Sequence, residues 1–192
     1  MTYCEFANQL PDNTDNPNKH YHDHAYGFPI DNDSELFGRL VLEINQAGLS
    51  WTLMQKKQKA FQAAYSGFDI AKVAAYTEAD RERLLADAGI VRNKLKVNAA
   101  IHNAQQILAL QAEHGSFKQW LDAHHPRSKE EWVKLFKKQF KFVGGEIVNE
   151  FLMSTGYLSG AHSEDCPVYA EVLKRQPQWA KDSEIKEKRI QK

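Results

Sequence analysis

The stretch SELFGRLVLEINQAGLSW, residues 34–51, decides the fold class. Behind Ser34, a residue type favoured at helix N-caps, the apolar residues Leu36, Phe37, Leu40, Val41, Ile44 and Ala47 recur at helical spacing and stop at Gly48. The pattern is repeated outward in both directions along the chain. Residues 51–65 place Leu53, Met54, Phe61 and Ala64 on one side before Gly67 breaks the run, and a shorter helix covers 70–76. Thr77 with Asp80 forms a capping box that opens a helix ending at Ala88-Gly89. A long helix over 93–112 is expected to turn Leu95, Val97, Ile101, Ala104, Ile107 and Leu108 inward, and another surrounds Trp120. Ser128 with Glu131 opens an amphipathic helix carrying Trp132, Leu135 and Phe136, and a last helix over 146–155 stops at Gly156. No segment alternates as a strand does, so the fold class is all-α. Residues 12–19 read as a surface loop leading to a His-rich turn, and beyond Gln176 the chain becomes a charged tail, frayed or disordered.

Composition narrows the class of protein. A chain of 192 residues with 42% hydrophobic and 26% charged residues suits one domain over 1–176, built as one globule or two helical lobes, with 177–192 as the tail. No window approaches the roughly 18 apolar residues that span a bilayer. The start Met1-Thr2-Tyr3-Cys4 lacks a basic region followed by an apolar one, so a cytoplasmic protein without a membrane partner is expected. Net charge is +0, so a nucleic-acid partner would have to be met by cations gathered on one face. Cys4 and Cys166 lie at opposite ends of the chain. A disulfide between them is disfavoured in a reducing compartment, which leaves metal ligation or two unrelated buried thiols.

His162-x3-Cys166 has the spacing of a metal half-site, and Pro167 sets Cys166 at the N-terminus of a following helix, where the dipole favours a thiolate. Cys4 and one of His20, His22 and His24 would complete a two-Cys, two-His tetrahedron. Such a set points to zinc, fills all four positions and therefore suits a structural ion better than a hydrolytic one. A terminal Cys4 and a surface His162 in a Ser/Gly loop are the ordinary alternative.

Glu43 lies at the flank of the 36–47 helix, bordering Leu36, Leu40 and Ala47. Directly after it Gly48 turns the chain and presents Leu49 and Trp51, so an acid, an apolar plug and a stacking ring become neighbours. Taken singly, a salt-bridged rim carboxylate is the ordinary reading of Glu43 and a core aromatic that of Trp51. Residues 84–100 read as helix, tight turn, helix, with Gly89 at the bend and Arg92, Lys94 and Lys96 at the start of the second helix. Cations and backbone N–H groups so placed can hold a DNA phosphate without reading sequence, although an αα-hairpin needs no such role.

Together the segments Tyr21-His22-Asp23, Leu42-Glu43, Gln46-Ala47-Gly48-Leu49-Ser50-Trp51, Asp87-Ala88-Gly89-Ile90, Phe140-Lys141-Phe142-Val143-Gly144 and His162-x3-Cys166 resemble the DNA-3-methyladenine glycosylase I family, in family order from Cys4 to Cys166. The resemblance implies a helix-hairpin-helix glycosylase fold with chain termini joined by one structural zinc on Cys4, His22, His162 and Cys166. It implies that Glu43 contacts the extruded base, that Tyr21 and Trp51 line its pocket, and that Leu49 on the Gly48 turn fills the gap in the duplex. Gly89, Arg92 and Lys94 would grip the DNA backbone. The expected activity is removal of an alkylated purine of the 3-methyladenine type from double-stranded DNA by a monomeric enzyme. Water is the expected nucleophile, since no lysine stands out for a Schiff base.

The chain departs from the family pattern at Gly145-Glu146, at Asn149-Glu150, at Tyr26 and Phe28, and at Ile44-Asn45. These departures mark a divergent subgroup and bear on which bases are accepted. Two other functions fit parts of the sequence. One is a metal-stapled module that binds damaged or distorted DNA without catalysis. The other is a zinc hydrolase unrelated to DNA, which requires an open metal position.

Overall fold

The computed structural model describes residues 1–11 and 16–181, and among them every regular element is a helix. The chain divides into two compact units, one formed by Met1–Ile30 with Asn149–Lys192 and the other by Asp31–Val148.

The larger unit begins with α3 (Asp33–Gln46), following α1 (Tyr3–Asn8) and α2 (Pro17–His24) of the smaller one. Asn32, not Ser34, caps α3, its side-chain oxygen accepting the Glu35 N–H at 3.0 Å. This moves Asp33 into the first turn, where its carboxylate accepts from the Phe117 and Lys118 N–H groups (2.8 and 3.0 Å) and from Gln111 Nε2 (2.7 Å). One side chain thereby joins α3 to α7 (Lys94–His114) and to the open N-terminus of α8 (Phe117–His124). Leu36, Phe37, Leu40, Val41 and Ile44 are fully buried on α3. Gly38 is required there, because a Cβ would lie 2.5 Å from the Phe68 ring.

Ser50 caps α4 (Trp51–Ala64), which is followed by a 3-10 turn at Ser66–Phe68, α5 (Ile70–Ala74) and α6 (Glu78–Ala86). Both expected capping boxes form, Thr77 with Asp80 at α6 and Ser128 with Glu131 at α9 (Lys129–Gln139). In α7, Val97, Ile101, Ala104 and Ile107 are buried as expected, but Leu95 is 67% exposed. Leu95 and Val97 are two residues apart and so project on nearly opposite sides of a helix. Trp120, Phe136 and Phe140 form an aromatic cluster, with ring centroids 5.3–5.9 Å apart.

In the smaller unit the expected loop over 12–19 is helical from Pro17, and residues 12–15 lie outside the described residues. Asn16 accepts the N–H of Asn18 and Pro17 occupies the first helical position, so the Asn-Pro pair starts α2 where a surface loop is expected. The unit is completed by the end of α10 (Gly145–Ser154) and by α11 (Pro167–Lys174). Packed chain also extends past the expected boundary at 176. Residues 178–181 are helical, and Trp179 packs on the cluster of Cys4, Cys166, Val168 and Val172. The rest of the charged tail, 182–192, lies outside the described residues. Among the described residues no helix is long and apolar enough to cross a membrane.

Candidate functional site

Within the smaller unit Cys4, His22, His162 and Cys166 meet, all buried, with one potential ligand atom from each lying within 4.8 Å of the other three. Local geometry explains the set. A capping box at Thr2 starts α1 and turns Cys4 inward at 5% exposure. His20 and His24, one helical turn apart on α2, lie on the outside with ring centroids 4.9 Å apart and planes tilted by 51°, while His22 projects the other way and is fully buried. Cys166 caps α11 with Pro167 at the first helical position. Gly27, at φ +82°, lets the chain pass close to His162, where a Cβ would meet Ala161 at 2.8 Å.

The separations suit a tetrahedral ion. Cys4 Sγ is 3.6 Å from His162 Nδ1, and Cys166 Sγ is 3.7 Å from both His162 Nδ1 and His22 Nε2. A four-coordinate zinc with bonds of about 2.0–2.3 Å sets neighbouring sulfur and nitrogen ligands about 3.5 Å apart. The remaining ring nitrogens are held as those of metal-ligating histidines are. His22 Nδ1 pairs with Asp23 Oδ1 at 2.7 Å and His162 Nε2 with the Tyr26 carbonyl at 2.7 Å. Asp23 is in turn bonded by Lys19 at 3.0 Å. Burial alone would raise the Asp23 carboxyl, but its contacts with His22 and Lys19 outweigh it and hold the group below the usual carboxylate range. Burial holds the His162 imidazole below its usual value, toward the neutral form that ligates. Burial pushes the Cys4 thiol up, against a Ser163 main-chain hydrogen bond that favours the thiolate. Asp23 and the Tyr26 carbonyl were assigned no role in the sequence. The signal for Asp23 was an acid directly after a candidate histidine ligand.

In the larger unit Glu43 lies near the end of α3 at 4% exposure. The helix ends at Ala47, Gly48 adopts φ +86°, the Leu49 N–H returns to the Gln46 carbonyl at 2.7 Å, and Trp51 opens α4. Leu49 and Trp51 are half-buried. Tyr21 belongs to the smaller unit, 5% exposed on α2, with its ring centroid 5.7 Å from that of Tyr26. The Tyr26 hydroxyl donates to Glu150 at 3.1 Å, so two of the departures from the family pattern pair with each other. The Glu146 carboxylate pairs with Lys129 at 3.1 Å and its side chain is 85% exposed.

The hairpin joins α6 to α7 through Asp87-Ala88-Gly89-Ile90. Gly89 donates its N–H to Asp87 Oδ1 at 2.7 Å, and a Cβ there would stand 3.0 Å from that oxygen and 3.1 Å from Ala60. Lys57 donates to the Ala88 and Gly89 carbonyls at 3.2 and 3.1 Å. Asn93 caps α7 by accepting the Leu95 and Lys96 N–H groups at 2.9 and 3.2 Å. Arg92 and Lys94 are exposed at this corner. Lys96 departs from its expected place among them, being buried with its ammonium on the Asn45 and Ala47 carbonyls.

The described residues define a class of helical protein with a buried Cys2His2 set that could hold a metal ion in one unit and a buried acid before a Leu-Ser-Trp turn in the other. The chain belongs to the methyladenine glycosylase family, which it matches over residues 12–132. It is 34% identical over 168 residues to DNA-3-methyladenine glycosylase 1 of Escherichia coli K12, covering 78% of this chain and 89% of that protein. DNA-3-methyladenine glycosylase of Haemophilus influenzae is 30% identical over 166 residues, covering 77% and 89%. Among solved structures, 3-methyladenine DNA glycosylase I from Staphylococcus aureus, described as showing the basis of 3-methyladenine recognition, matches with TM-score 0.75 and 32% identity, over 88% of this chain and 96% of that one.

Proposed function

We infer that this protein excises alkylated bases from DNA as a 3-methyladenine DNA glycosylase. The observation that carries the reading is Glu43, a carboxylate 4% exposed near the end of α3, directly ahead of the turn that presents Leu49 and Trp51. Relatives at 30–34% identity carry the same activity in their names.

A carboxylate held in a low-dielectric setting attracts a cationic ligand more strongly than a neutral one. An N3-alkylated adenine is such a cation, and its positive ring weakens the bond to the sugar. In our reading Leu49 enters the duplex as the base leaves, with Gly48 giving the turn its left-handed conformation. The base stacks on Trp51, and Glu43 accepts a hydrogen bond from the amino group. The N-glycosidic bond breaks with its electron pair on the base, which departs neutral. Water then adds its oxygen to C1′ of the sugar and releases a proton. Arg92, Lys94 and the N–H groups of the Gly89 turn that remain available hold the phosphates of double-stranded DNA. Gly89 serves that turn by its lack of a Cβ, since its own N–H is taken by Asp87.

Zinc is the ion that the donor set suits. Cys4, His22, His162 and Cys166 would hold it with no position left for water, and it would supply cross-linking of the two chain ends. Two free thiols are consistent with a reducing, cytoplasmic setting, and the enzyme acts as a monomer in this reading. Incubation with methylated duplex DNA tests the activity: release of free 3-methyladenine is expected. Tight binding to an abasic analogue without release would instead identify a damage-binding module.

A further inference from the structure

Lys96 is the third residue of α7 and is 5% exposed. Its ammonium donates to the carbonyls of Asn45 (3.1 Å) and Ala47 (2.9 Å). Both lie at the end of α3, where the last C=O groups have no helical partner and the dipole leaves negative partial charge. The Phe142 ring centroid lies 5.7 Å from the same ammonium. The chain at Phe142 is itself tied to α7, because Asn103 accepts the Lys141 N–H (2.8 Å) and donates to the Lys141 carbonyl (3.1 Å). Burial lowers the lysine's pKa, so the two carbonyls and the aromatic face are what stabilise the charge in place.

We propose that Lys96 is a positioning residue for base release, clamping the end of the Glu43 helix and the turn that carries Leu49 and Trp51 onto the hairpin helix. The proposal rests on the glycosylase reading. Asn45 is two residues after Glu43, and Ala47 is the last residue before Gly48 turns the chain. Fixing both carbonyls therefore fixes where the acid ends and where the plug and stacking ring begin. The same helix opens at Arg92 and Lys94, so a phosphate held at that corner is coupled through one short, charged contact to the pocket turn. Without the ammonium, the buried Asn45 carbonyl and the part-buried Ala47 carbonyl lose their donor beside the Asn45 side-chain oxygen, which is already buried without one. The turn would gain alternative conformations in which Glu43 and Trp51 do not meet one base. The ammonium is engaged on two acceptors, so Lys96 is not a nucleophile in this scheme.

The test compares Lys96→Met and Lys96→Arg with the unaltered protein. It measures single-turnover release of 3-methyladenine, affinity for a duplex holding an abasic analogue, and amide exchange over residues 46–51. The unaltered protein must release the base. If it does not, the glycosylase reading fails and takes this role with it. Given release, Lys96→Met is expected to slow it by at least tenfold, to bind the analogue within threefold of the unaltered protein with the same salt dependence, and to exchange the 46–51 amides faster. Lys96→Arg is expected to restore much of the rate. A folded Lys96→Met protein that releases base at the original rate overturns the proposal, as does a borohydride-trapped adduct on Lys96. Lys96→Gln, which keeps one donor, replaces the methionine variant if that one does not fold. If neither neutral variant folds, Lys96 serves the fold and the positioning role is wrong.

Discussion

In the proposed reading, burial of Glu43 is what makes its carboxylate selective for a cationic base. An ionised carboxylate held away from water attracts a cationic purine more strongly than the same group in solvent, and it gains little from neutral adenine. A hydrogen bond to a charged group is worth about 1.5–3 kcal/mol, so Glu43→Gln is expected to slow base release by about 10- to 100-fold. Affinity for an abasic analogue, which presents no base, is expected to stay within a few-fold. Leu49→Ala is expected to weaken binding to the same analogue by about 1–2 kcal/mol, read by titration, because the shortened side chain fills less of the duplex gap. His22 was not separable from His20 and His24 by residue type alone. Helix geometry separates them, because residues two apart face opposite sides, but this could be used only once the segment was known to be helical. The Asn-, Asp- and Pro-rich composition of residues 12–19, which reads as a surface loop, concealed that.

At the scale of elements, the helices that carry the pocket and the hairpin were legible because their apolar spacing is unbroken and their caps are explicit. Thr77 with Asp80 and Ser128 with Glu131 close the boxes their spacing announced. A bond from the Thr77 main chain holds Asp80, and one from the Ser128 main chain holds Glu131, below the usual carboxylate range. The folded form therefore favours the ionised acid. Its contribution is complete above the unfolded values of about 4 and is lost as pH falls through the lower folded values. Amide exchange in the first turns of α6 and α9 is expected to accelerate in that acid window ahead of the middle of α7. Not legible were contacts made across long sequence separations. No periodicity says that Lys96 turns from solvent to the end of α3, or that Asp33 reaches the start of α8. Leu95 shows the same limit, an apolar residue on a helix whose buried side is set by its partners. For the hairpin, Arg92→Ala and Lys94→Ala are each expected to lower the slope of log affinity against log salt by about 1. An unchanged slope in both would remove these residues from the DNA contact.

The molecule as a whole joins a small unit, whose two chain segments meet at Cys4, His22, His162 and Cys166, to a larger one bearing Glu43 and the hairpin. Of these four candidate ligands, Cys4, His162 and Cys166 were legible as a pattern of residue types, and His22 was singled out only by the family resemblance. What holds their rings, Asp23 and the Tyr26 carbonyl, became visible only in three dimensions. If zinc ties the segments, Cys166→Ala is expected to abolish stoichiometric zinc and to cost about 3 kcal/mol or more, a fall of about 10 °C in Tm. Full zinc content and an unchanged Tm would contradict the structural ion. Excision of a cationic base is measured directly by chromatography of bases freed from methylated duplex DNA by an excess of the zinc-loaded protein. Free 3-methyladenine, with the strand left uncut and release strongly reduced by Glu43→Gln, is the expected result. No released base, or release unaffected by Glu43→Gln, would contradict it.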